Sequence, residues 1–131
     1  MIEYEDVVAA MAATLHRAGR YRQVASVDPM SVTIRDNADE QRYEALVDDR
    51  VAGFSEYRLR EGRVTFTHTE VDDAYEGQGI GSQLATAVLD ASRAAGLDVY
   101  PACPFIADYI KQHPDRYLDL VPERVRERYG L

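Results

Sequence analysis

Tyr75-Glu76-Gly77-Gln78-Gly79-Ile80-Gly81-Ser82 joins a β-rich stretch to a long helix-periodic one, and its reading decides the fold. Glycines at alternate positions clear side chains from places where backbone N–H groups must approach an anion. The helix that follows adds its unpaired first-turn N–H groups and the positive end of its dipole. This is the chemistry of a pyrophosphate cradle, and spacing narrows which one. A nucleoside-triphosphatase loop has the form G-x-x-x-x-G-K-[ST], but no Lys follows these glycines. A dinucleotide fingerprint needs G-x-G-x-x-G, whereas here the third glycine arrives one residue early at Gly81 and Ser82 holds its place.

Working outward, Ile80, Leu84, Val88 and Ala91 form an apolar stripe that predicts a helix from about Gly79 to Ala95, stopped by Gly96. Leu97–Ala102 reads as a short buried strand, and Pro104 opens a last helix to about Gln112, broken at His113-Pro114. The tail from Pro122 to Leu131, rich in Glu and Arg, predicts a short solvated helix. Upstream, Gln41–Val47, Val51–Leu59 and Arg63–Val71 alternate as strands, with turns at Asp48-Asp49 and Glu61-Gly62, and so predict an antiparallel meander. Strict alternation in the third strand puts Val64, Phe66, His68 and Glu70 on one face. Ser31–Arg35 is a shorter strand, Tyr21–Met30 a connection, and Glu3–Arg20 an amphipathic helix with Val7, Val8, Met11, Leu15 and Ala18 at helical spacing.

A chain of 131 residues fits one domain, 1–131, with a helical extension over 1–30, a core over about 31–120 and a tail over 121–131. It has 46% hydrophobic and 29% charged residues, and no apolar run near the roughly 20 residues of a bilayer span, which predicts a globular protein with no membrane partner. No targeting segment is visible, so the cytoplasm is the expected location. A net charge of −8 argues against nucleic acid, whose binding draws on Lys and Arg, and suits a cationic acceptor. The single cysteine, Cys103, excludes an internal disulfide, and three scattered histidines give no metal site, so none is expected.

The order of strand, short acidic turn, x-G-x-G-x-G and helix resembles the acetyl-CoA loop of the GNAT N-acetyltransferase superfamily, written [QR]-x-x-G-x-[GA], with Glu76 standing where Gln or Arg is usual. Arg42-Tyr43-Glu44, Gly53-Phe54, His68-Thr69-Glu70-Val71, Cys103-Pro104-Phe105, Tyr109-Ile110 and His113-Pro114 are similar to the small, minimal branch of that superfamily. The resemblance implies an α/β (α+β) GNAT fold: a mixed, mostly antiparallel twisted sheet with a splayed central strand pair and flanking helices, here with an extra N-terminal helix. It implies an acetyl-CoA-dependent N-acetyltransferase acting on an amine of a small molecule or protein, as monomer or homodimer. A CoA or acyl-CoA-binding sensor with little turnover is the alternative.

Carried onto this chain, the resemblance has the backbone at Val71 holding the pantetheine arm and Gly77, Gln78, Gly79, Ile80, Gly81 and Ser82 holding the pyrophosphate. Acetyl transfer to an amine needs a base, and His68 and Glu70 on the strand before the loop are the candidates. The usual pKa of about 6.5 suits His68, while Glu70 needs burial to climb from about 4.3. Cys103 at the start of the last helix is the candidate for a covalent acetyl relay. The family's thiolate-protonating Tyr follows an Ala by four residues, but counting from Ala107 lands on Lys111. Tyr109, two residues off, remains the first candidate because a phenol is the family's usual donor, and Lys111 is the candidate adenosine-phosphate contact.

Overall fold

Turn residues with left-handed backbones set the spacing of the strands. The computed structural model of the protein describes residues 21–27 and 32–131, so the helix predicted over Glu3–Arg20 lies outside the described residues. Strands β1 (Tyr21–Val27), β2 (Val32–Asn37), β3 (Arg42–Val47), β4 (Arg50–Arg60) and β5 (Arg63–Val71) form an antiparallel meander. Asp48 and Asp49, at φ 52° and 67°, make the tight β3–β4 turn in the left-handed form whose twist matches the flanking strands. Helix α1 (Ile80–Ala94) then crosses the sheet, and β6 (Asp98–Pro101) returns parallel to β5. Helix α2 (Pro104–Gln112) and the short helices α3 (Pro114–Tyr117) and α4 (Glu123–Arg126) complete the described chain. The six strands lie in chain order, giving the mixed, mostly antiparallel sheet expected of a GNAT core.

The core lies between the sheet and α1. Ile80, Leu84, Val88 and Leu89 from the helix meet Ile34, Ala45, Val64, Phe66 and Val99 from the strands, all at most 2% exposed. Burying one such side chain contributes about 1.5–3 kcal/mol, so the stripe read from the sequence is the helix's main tether.

Three expectations need correction. Tyr21–Val27 is a strand rather than a connection: it adds to the sheet edge against β2, with an irregularity between Gln23 and Ala25 that breaks the alternation a strand is read from. The tail is not simply solvated. Val121 and Val125 are buried, Arg126 donates to the carbonyls of Val121 and Leu118, and Arg124 reaches the Tyr100 hydroxyl on β6. Arg93 of α1 forks onto Asp119 at 2.8 and 3.0 Å and also donates to the Arg116 carbonyl, which ties the segment after α3 to the sheet-covering helix. The third correction concerns β5 and is given with the site it creates.

On the sheet face away from α1, Glu44 is 1% exposed yet carries a carboxylate. Arg35 Nε and Arg42 Nε donate to it at 2.8 Å and Asn37 Nδ2 at 3.0 Å. Burial pushes its pKa up, but the hydrogen bonds from Arg42, Asn37 and Arg35 outweigh that and hold it below the usual carboxylate range. A depressed folded-state pKa contributes stability that is present above the ordinary glutamate range and lost as pH falls through the folded-state value. Glu44→Gln should therefore lower stability by about 2 kcal/mol at pH 7, less than a fully buried pair because both arginines remain partly hydrated. Denaturant melts at pH 7 and at pH 3 check this: the gap between wild type and variant should shrink at the lower pH.

Candidate functional site

Phe66 is the last β5 residue paired with β6, opposite Pro101. Asp98 N–H bonds Gly62 O, so alternate β6 residues face β5, but the chain turns at the next of them: Ala102 N–H closes onto Tyr100 O, and Cys103 N–H donates to Phe66 O at 2.8 Å. Pro104 then starts α2. From Thr67 to Val71, β5 keeps β4 on one side, while its other backbone edge has no strand partner among the described residues. This is the splay expected of the fold: an open wedge whose far wall begins at Cys103.

The wedge runs into the glycine loop. After a 3-10 turn at Asp73–Tyr75, Gly77 and Gly79 take φ 83° and 79°, where a side chain would be strained; open space surrounds Gly77, and the Gln83 side chain lies beside Gly79. Among the described residues, the N–H groups of Gly77, Gly79, Ile80, Gly81 and Ser82 donate to no backbone carbonyl, and the first such bond of the helix is Gln83 N–H to Gly79 O. Five such donors at the positive end of a helix are suited to an anion. Gln83 Oε1, beside Gly79, is buried with no hydrogen-bond partner. An acceptor left without a donor here fits an arm bearing amide N–H groups, and the loop fits its phosphates, so the residues suit coenzyme A.

Gly81 does a second job that was not read in the sequence. A Cβ there would lie 2.6 Å from the Phe105 ring, so the third glycine makes room for α2 against α1. Phe105 is 40% exposed and forms an apolar wall beside the cradle. Nothing in the sequence pattern pairs these two positions, since both the ring and the glycine are ambiguous until α1 and α2 are placed side by side.

His68 and Glu70 do not share a face with Val64 and Phe66, contrary to strict alternation. Tyr57 pairs with Phe66 but Glu56 pairs with His68, which leaves Thr67 as an extra residue, and this β-bulge shifts the phase. Phe66, Thr69 and Val71 therefore face α1, while His68 and Glu70 stand on the opposite face with Phe54 and Glu56. There His68 Nε2 meets Glu70 Oε1 at 3.1 Å, the His68 ring lies 6.0 Å from that of Phe54, and the two side chains are 55% and 61% exposed. Glu70 is thus not buried as a lone general base would require.

The remaining candidates are spread along the other wall. Cys103 is 3% exposed and caps α2 without a side-chain hydrogen bond. The Tyr109 hydroxyl lies 2.6 Å from Thr86 Oγ1 of α1 and its ring lies 4.3 Å from that of His113, so the hydroxyl is engaged between helices. Next to it, burial and a hydrogen bond to Asp90 push the Tyr117 hydroxyl above its ordinary range. Lys111 is exposed two residues beyond Tyr109. The site thus joins the loop, Val71, Cys103 and the His68–Glu70 pair around the wedge, and it leaves Tyr109 in the helix interface. No group of His, Cys, Asp and Glu suited to a metal occurs among the described residues, and no helix there is long and apolar enough to cross a membrane.

Comparison with known proteins bears on the same segment. Residues 42–120 match the family model described as GCN5-related N-acetyl-transferase. Protein NATD1 of Xenopus tropicalis is 35% identical over 100 residues, 72% of this chain and 90% of that protein. Protein NATD1 of Gallus gallus and of Homo sapiens are each 42% identical over 57 residues, 43% of this chain and 52% and 50% of those proteins. The chain matches about half the length of the latter two.

The packing account of Gly81 predicts a coupling. Gly81→Ala should cost about 1 kcal/mol by crowding the Phe105 ring, and the cost should vanish in a Phe105→Ala background. Denaturant melts of the two single variants and the double variant measure it, and additive losses would contradict the contact.

Proposed function

We propose that this chain, which belongs to the GCN5-related N-acetyltransferase family, transfers an acetyl group from acetyl-CoA to an amine. The observation that carries the proposal is the glycine loop with five unpaired N–H groups opening directly off a strand edge that has lost its partner. Acetyl-CoA bound there supplies an activated thioester carbonyl to an amine nitrogen. The N–H groups of Gly77, Gly79, Ile80, Gly81 and Ser82, with Gln78 at the loop's crest, neutralise the phosphates. The free edge of β5 up to Val71 offers the pantetheine amides the ladder that β6 would otherwise have filled. Lys111 is the candidate for the outer adenosine phosphate.

His68 is the proton acceptor in this scheme. Its hydrogen bond to Glu70 fixes the ring and stabilises the imidazolium once the amine's proton has been taken. Cys103, level with Phe66 at the head of the wedge, is the candidate for an acetyl relay through its thiol, and its burial restricts that role to a substrate already seated in the wedge. With Tyr109 bonded to Thr86, the acid for the departing thiolate is either Tyr109 after that bond opens or solvent.

A second reading, a CoA-binding protein with little turnover, is favoured by two specific observations: Asp72, Asp73 and Glu76 line the approach to the phosphate loop, and Tyr109 is engaged elsewhere. The two separate in one experiment. Acetyl-CoA at about 100 times its dissociation constant should raise wild-type stability by roughly 2.7 kcal/mol, and the increment should fall sharply in Gly79→Ala. His68→Ala should keep the increment while amine acetylation drops about 100-fold or more. Stabilisation without any His68-dependent turnover would establish the sensor instead, and no stabilisation would end both readings.

A further inference from the structure

Among the described residues, two large apolar side chains are left exposed, Phe105 at 40% and Val51 at 36%. Isolated apolar residues are ordinary on a protein surface, so the exposure of Phe105 carries weight only through where its ring is held. The ring points its tip at Gly81: a Cβ on that glycine would lie 2.6 Å from Phe105 Cζ and 3.3 and 3.4 Å from the two Cε atoms. The tip therefore rests on the first turn of α1, and the exposed surface is ring face. Gly81 is not among the glycines with positive φ, so its backbone does not require a glycine, and a glycine within α1 weakens the helix. The space that it gives up goes to this ring.

We infer that Phe105 is the specificity-determining residue by which this cradle tells a pantetheine-bearing pyrophosphate from other pyrophosphates, through a contact of its ring face with the dimethyl-substituted carbon of the arm; this rests on the acetyl-CoA reading above. Position gives the first reason. Phe105 stands just after Cys103-Pro104, and Cys103 N–H is fastened to Phe66 O at the head of the open β5 edge. Its ring touches the helix turn whose Gly81 and Ser82 N–H groups donate to no backbone carbonyl. The ring thus reaches from the far wall of the wedge to the phosphate seat, beside the path an arm takes between them. Chemistry gives the second reason. The pantetheine arm is slender or polar along most of its length, and its one branched apolar group is a carbon bearing two methyls, next to the methylene that is esterified to the pyrophosphate. A ring held against the phosphate-binding turn meets that carbon first. The loop cannot make the distinction alone, since its N–H groups read phosphate oxygens, and the β5 edge reads any extended amide. The competing use of an exposed aromatic ring is to stack on the adenine, which would turn the nucleoside rather than the arm toward the wedge.

The test reads binding rather than turnover. The full chain is titrated calorimetrically with coenzyme A, with a synthetic coenzyme A whose two methyls are replaced by hydrogen, and with ADP. Wild type should bind coenzyme A about tenfold tighter than the analogue, as expected for burying two methyls against a ring. Phe105→Ala should bind the two coenzymes equally, at the strength with which wild type binds the analogue, and should bind ADP as wild type does. Phe105→Leu keeps apolar surface but cannot stack on a base, so it should hold ADP unchanged and retain a preference of about threefold for coenzyme A. It also decides the matter if Phe105→Ala does not fold. No preference in wild type, or an undiminished preference in the folded variants, overturns the inference. Loss of ADP affinity in Phe105→Leu overturns it too and assigns the ring to the adenine. Each of these failures leaves the acetyl-CoA reading standing, because coenzyme A still binds. If wild type binds no coenzyme A, that reading falls and the inference falls with it.

Discussion

The turn that takes Ala102 N–H off the β5 ladder is the constraint on which the rest of the site depends. A parallel strand pair continues only while both partners donate, and past the Phe66–Pro101 pair Ala102 N–H closes onto Tyr100 O instead. The chain cannot then drift, because Cys103 N–H fastens it to the Phe66 carbonyl and Pro104 sets the first turn of α2. Five residues of β5 are left with one unpaired edge. Such an edge offers unpaired N–H and C=O groups, and its place beside a loop of unpaired N–H groups is the physical case for a ligand that carries both peptide-like groups and phosphates.

The bulge at Thr67 falls at the same level, and it divides the labour of β5. Before it, Val64 and Phe66 hold α1 to the sheet; after it, Thr69 and Val71 take over that face while His68 and Glu70 turn outward. Without the extra residue, two polar side chains would point at the helix and two smaller ones at solvent. The bulge thus keeps the core apolar and puts the proton-handling pair on the face where an acceptor can reach it. Glu44, held by Arg35, Asn37 and Arg42, stiffens the neighbouring strands on that same face.

Much of this was legible in the sequence, and for physical reasons. The meander followed from alternation and from Asp48-Asp49 and Glu61-Gly62, whose turn chemistry is local. The helix stripe from Ile80 to Ala91 and the glycine loop are likewise encoded within a few residues. What escaped depends on partners far away in the chain. β1 is a strand because β2 offers it an edge. The phase of His68 depends on how Thr67 fails to pair with β4, and alternation within β5 alone gives no sign of it. Gly81 was read as a phosphate contact, yet its closest constraint is Phe105, 24 residues on. The tail's charges concealed Val121 and Val125, single apolar positions too sparse to show a period.

The most direct test of the central claim, that the open edge of β5 and the glycine loop together form one coenzyme A seat, is an amide NMR titration with coenzyme A. The account predicts saturable shifts of the N–H signals of Gly77, Gly79, Ile80, Gly81 and Ser82 together with those between Thr67 and Val71, and little change at the loop when adenosine without phosphates is used. Shifts confined to other parts of the chain, or none at all, would contradict it.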